Sequence, residues 1–152
     1  MLLSLLLLAD LTGSWTLDRE ASEDMDTLLR ETQDLSWVER RLAATVDVTH
    51  VITQQGDTLE ILIVAPVYER KSTLETDKTW RPSTGRNGPT TQRAWWEGEI
   101  LVVESRGSVA DGTPALYRTE RSVADDDMTL LLTITAEDGR SWRVKRVLRR
   151  VD

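Results

Sequence analysis

"VDVTHVITQQGDTLEILIVA", residues 46–65, contains two alternating runs around a turn. In the first run, Val46, Val48, His50 and Ile52 fall on one face; in the second, Leu59, Ile61 and Ile63 do. Successive side chains of a strand point to opposite faces, so a period of two reads as β-structure and defines an inward stripe. QQGD at 54–57 is a turn of hairpin length. The stretch is therefore predicted as two antiparallel strands, 45–54 and 58–65. The second is apolar on its other face too, at Leu62 and Val64. That outer patch is expected to be covered by the apolar N-terminus or by a second subunit.

Downstream the period stays at two. Strands are predicted at 67–75, 77–81, 90–96, 99–107, 114–123, 128–136 and 140–150. They are separated by STGRNGP (83–89), EGE (97–99), ADGTP (110–114), ADDD (124–127) and EDG (137–139). Upstream, GSWTL (13–17) is a short strand with Trp15 and Leu17 on one side. Between it and the opening hairpin the period becomes helical. Ser22 can cap a first helix carrying Met25, Leu28 and Leu29, and Asp34 or Ser36 can start a second with Leu35, Val38 and Leu42. One strand, a helix–turn–helix of about 25 residues and nine strands joined by short connections close most naturally into a ten-stranded antiparallel up-and-down β-barrel. The fold class is all-β, with the helical pair as a lid between strands 1 and 2. Residues 12–152 read as a single domain, preceded by an apolar extension at 1–11.

Composition narrows the function. The 152 residues carry 19 Lys and Arg against 26 Asp and Glu, a net charge of −7. A surface for nucleic acid needs a positive field, so nucleic acid is not expected as a partner. There is no cysteine, hence no disulfide and no thiolate site, and the lone His50 has no companions at metal-ligand spacing. No metal or cofactor is expected. MLLSLLLLAD at 1–10 has an apolar run too short to span a bilayer, with no basic residue before Arg19. A cytoplasmic location is expected, with a periplasmic or secreted one as the alternative if residues 1–9 are a truncated signal.

The basic C-terminus WRVKRVLRRV (142–151) separates under strand alternation. Trp142, Val144, Arg146 and Leu148 share the apolar face, while Arg143, Lys145 and Arg149 lie opposite. An inward arginine needs a partner or water. In strand 114–123, one register turns Tyr117, Thr119, Arg121 and Val123 inward; the other turns Leu116, Arg118 and Glu120 inward, and the sequence leaves both open. His50 on an apolar face reads first as a hydrogen-bonded core residue. Trp95 and Trp96 are adjacent, so only one of them faces inward.

The order of elements, with several local stretches, resembles the fatty-acid-binding proteins, the intracellular lipid-binding branch of the calycins. GSW (13–15) resembles that family's Gly-Thr-Trp opening, and SEDMDTLL (22–29) its first helix. SWVERRLA (36–43) resembles its second helix, QGDTLEI (55–61) its Asn-Gly-Asp-Thr hairpin, and LTITAEDG (132–139) a late strand and turn. RVL (146–148) stands where the family has Arg-x-Tyr, with Leu148 in place of the tyrosine. The resemblance covers residues 12–151 and makes the chain a divergent member, bacterial in expectation. It implies a small hydrophobic or amphipathic ligand inside the barrel, a long-chain fatty acid or similar carboxylate, held for transport or storage. It implies carboxylate reading by Arg146 and Arg121, with Tyr117 able to supply the missing hydroxyl. Val144, Leu148, Trp142, His50, Leu59 and Ile61 complete the expected ligand-binding set, and no residue is expected to be catalytic. The alternative is an enzyme of cyclase or isomerase type acting on an apolar substrate in the same barrel. Transient membrane contact through the lid or N-terminus, and a monomer or weak dimer, are further expectations.

Overall fold

The computed structural model describes residues 9–66, 68–85 and 88–151. The expected extension therefore lies mostly outside the described residues. The chain order is β1 (Gly13–Asp18), α1 (Asp26–Gln33), α2 (Trp37–Thr45), β2 (Thr49–Gln55), β3 (Thr58–Ala65), β4 (Tyr68–Glu75), β5 (Arg81–Gly85), β6 (Gly88–Glu97), β7 (Ile100–Ser108), β8 (Pro114–Ala124), β9 (Asp127–Ala136) and β10 (Ser141–Val151). All ten strands form one antiparallel sheet in the order β4-β3-β2-β1-β10-β9-β8-β7-β6-β5. It curls round so that β4 and β5, consecutive in the chain, stand at its two ends. Arg70 Nη2 reaches across this gap to donate to the Thr84 carbonyl at 3.0 Å.

The alternation read from the sequence decides which side chains face inward. Leu11, Trp15, Ile52, Leu59, Ile61, Leu74, Leu101, Met128 and Leu148 pack as one buried cluster. Trp15 is fully buried, and its indole donates to the Leu11 carbonyl at 3.0 Å. The GSW stretch has a local reason for its glycine. Gly13 sits at φ +149, and a Cβ there would lie 2.7 Å from Arg150 Nη1, whose guanidinium stacks 4.2 Å over the Trp15 ring. A second cluster, Leu28, Val109, Ala115, Ile134, Ala136 and Val144, seats α1 on the far end of β8–β10.

Three local expectations are corrected. The strand placed at 77–81 begins instead at Arg81, and its hairpin with β6 falls inside the stretch assigned to a turn. Asp77 bends the chain here: its carboxylate accepts from the Thr79 amide and pairs with Arg81 at 2.6 Å, and Lys78 takes a left-handed φ of 64°. Ser22 does not cap α1, whose N-cap is Met25. Its hydroxyl donates to the Asp18 carbonyl and accepts the Val147 amide, anchoring the chain to β10 before the helix begins. The strand expected from 45 starts at Thr49, because α2 continues to Thr45. Of the two candidates for starting α2, Ser36 does so through a reciprocal capping box with Glu39. Trp96 is the inward member of its pair, packed on the core, while Trp95 lies outside between Arg93, Arg118 and Lys78.

Candidate ligand-binding cavities

Strand register arranges the inner face in rows. One row runs Trp96–Leu101–Arg121–Leu130–Arg146 across β6 to β10. The next is Ala94–Val103–Thr119–Leu132–Val144, and the third Gln92–Ser105–Tyr117–Ile134–Trp142. The open register of β8 is thereby resolved: Tyr117, Thr119 and Arg121 face in, while Arg118 faces out toward Glu104, Glu97 and Glu120.

Two cavities open onto these rows. The barrel cavity, about 170 Å³, is lined by Ile61, Ile63, Leu74 and Val103, and by polar side chains that include Arg121, Thr119, Tyr117, Ser105 and Gln92. Arg121 is 7% exposed, and its Nε has no hydrogen-bond partner. Burial alone pulls its pKa down to about 10, which still leaves it charged at neutral pH. A buried guanidinium in this state is costly unless an anion meets it. His50 is 6% exposed with an unpartnered Nδ1, and desolvation, then the nearby Arg121 charge, holds its pKa down to about 3. It is a neutral imidazole at physiological pH. Tyr117 lines the cavity, but its hydroxyl is engaged: it donates to the Ser108 carbonyl at 2.7 Å and accepts from Gln33 Nε2 of α1 at 3.0 Å. Burial, opposed by that Gln33 bond, raises its pKa.

The second cavity, about 310 Å³, lies beneath the lid and is lined by Arg19, Asp24, Met25, Leu29, Arg40 and Arg146 among others. Arg146 is half-buried here, not in the barrel cavity, and donates to the Glu23 backbone carbonyl. Desolvation lowers its pKa, Asp24 pulls the other way, and Arg19 adds a repulsive charge. The Lys145 amide donates to Glu23 Oε1 at 2.7 Å, so the approach to α1 is stitched to β10 at this point.

The remaining expected residues are distributed between these regions. Ile61 lines the barrel cavity, whereas Leu59 and Leu148 are buried in the core beneath it. Val144 belongs to the cluster under α1, and Trp142 donates from its indole to Glu31 of that helix at 2.5 Å. Ser72, Gln92 and Ser105 went unremarked in the sequence, because their inward direction depends on register. The described residues contain no cluster of three or more His, Asp or Glu able to hold a metal, and no helix long and apolar enough to cross a membrane.

No family model and no curated protein matches the chain. Solved structures do. The "REP1-NXSQ fatty acid transporter" superposes with a TM-score of 0.76 at 21% identity, covering 94% of this chain and 97% of its own. Fatty-acid-binding protein 1 of Echinococcus granulosus gives 0.69 at 14%, covering 93% and 98%. A Schistosoma mansoni fatty acid binding protein in complex with arachidonic acid gives 0.69 at 20%, covering 93% and 96%. At these identities the likeness shows the fold, which is that of the fatty-acid-binding proteins.

Proposed function

We propose that the protein binds a small amphipathic carboxylate, a long-chain fatty acid or a relative of one, inside its barrel. Arg121 carries the reading: a buried, charged guanidinium with an unpartnered Nε, facing a cavity walled on one side by Ile61, Ile63, Leu74 and Val103. Guanidinium matches carboxylate in charge and in its paired donors, and aliphatic burial supplies the rest of the affinity. That similar folds are described as fatty acid binders or transporters supports the same reading. Arg146 acts at the entrance: it ties the lid to β10 and adds positive charge along the way in. The protein's role is carriage or storage.

The test is titration calorimetry with a fatty acid, its methyl ester and its alcohol, on the protein and on Arg121→Ala. The variant should bind the acid at least about a hundredfold more weakly, a loss of roughly 2.7 kcal/mol. Ester and alcohol should change by less than about threefold. Equal weakening of all three would sink the carboxylate reading.

A further inference from the structure

The barrel cavity is more polar than a hydrocarbon tail requires. Among its described lining residues only Ile61, Ile63, Leu74 and Val103 are aliphatic. Three of the polar ones are accounted for: Arg70 ties β4 to Thr84, Tyr117 bonds Ser108 and Gln33, and Arg121 faces the head group. Of the four that remain, Ser72, Thr119, Gln92 and Ser105, the last two are not scattered. They are direct cross-strand partners of β6 and β7, and Ser105 is opposite Tyr117 of β8. Their row lies four residues along β8 from Arg121, about 13 Å at strand rise. Ser72 of β4 lines the same cavity.

A ligand with its carboxylate on Arg121 would therefore pass Val103 and Thr119 and bring its middle to Gln92 and Ser105. An unsubstituted chain would strip water from an amide and a hydroxyl and return nothing, and each such loss is unfavourable. A hydroxyl or oxo group at that point would restore the bonds. The glutamine amide both donates and accepts, the serine hydroxyl does the same, and neither carries charge, so the complement is a neutral oxygen. We infer that the preferred ligand is a long-chain acid oxygenated at mid-chain, with Gln92 and Ser105 as its specificity-determining residues. This inference rests on the carboxylate reading of Arg121.

The test uses the full chain with stearic acid and its 2-hydroxy and 10-hydroxy derivatives, measured by calorimetry. The 10-hydroxy acid should bind roughly three- to tenfold tighter than stearic acid, the return expected from one net hydrogen bond. The 2-hydroxy acid should show no such gain. In Gln92→Leu/Ser105→Ala the preference should vanish and stearic acid should bind more tightly than before, because no amide or hydroxyl is then stripped of water; an unaltered circular dichroism spectrum reports that the variant folds. No preference for the 10-hydroxy acid in the native protein, or a preference that survives in the double variant, overturns the inference and leaves the carrier reading intact. Failure of all three acids to bind overturns the carrier reading itself.

Discussion

Arg121 and Arg146 sit in one row of the sheet, each paired across from Leu130, one on either side. Both point to the inner face, yet their situations differ. Arg121 is buried with an unpartnered Nε and looks into the barrel cavity. Arg146 is half-buried, donates to the Glu23 carbonyl and looks into the lid cavity. The strand period places both charges inside; what packs on them decides their roles. Over β10 the chain before α1 lies down and supplies carbonyls and carboxylates, whereas above Arg121 there is open cavity. One arginine keeps an unpartnered Nε beside open cavity, and the other closes the chain on itself.

The contrast predicts opposite signs in the ligand-free protein. Arg121→Met replaces a buried charge with a chain of similar length, so urea unfolding should show a gain of about 2 kcal/mol. Arg146→Met removes a charged donor from a partly exposed bond and should cost about 1 kcal/mol after allowing for solvent screening. Two shifts of the same sign would break the comparison.

His50 sharpens it through pH. Its pKa is about 3 in the folded protein and near 6.5 in an unfolded chain, so the unfolded state binds the extra proton between those values. The stability contributed by the neutral imidazole is complete above pH 6.5 and falls as the pH drops toward 3. By pH 5 the loss from this group is about 2 kcal/mol, at 1.36 kcal/mol per unit. His50→Gln should flatten that limb of the stability profile; an unchanged slope between pH 6.5 and 5 would mean that His50 is not held neutral by burial beside Arg121.

How far this was legible in the sequence follows from the range of each contact. The period of two carried the barrel, its inner stripe and the inward placing of Arg146. In β8 both faces hold an arginine, Arg118 and Arg121, so period alone could not choose. The choice is made by Glu104, Glu97 and Glu120, which gather Arg118 on the outer face. The role of Arg146 depends on Glu23, 123 residues away, through a backbone carbonyl that no side-chain pattern announces. The row of Gln92, Ser105 and Tyr117 exists only once three strands are in register. The shifted start of β5 came from a side chain bonding its own neighbourhood: Asp77 turns the chain where the alternation of 77–81 suggested strand.

The smallest expected effect separates lid from barrel. α2 buries none of its residues, and Trp37, Val38 and Leu42 are 66%, 59% and 50% exposed. It is held by its capping box and by Arg40, which pairs with Asp26 of α1 at 2.8 Å and donates to the Leu35 carbonyl at 2.7 Å. With so little packing, helix-end chemistry should govern its opening. Ser36→Ala should cost about 1 kcal/mol, appearing as faster hydrogen exchange across Trp37–Thr45, with β8 amides unchanged. Ligand association and dissociation should both quicken if α2 gates the barrel, leaving affinity nearly constant because Arg121 and its cavity are untouched. Faster exchange in β8 as well would mean that lid and barrel open together, and that Arg121 is less independent of the latch at Arg146 than their separate cavities imply.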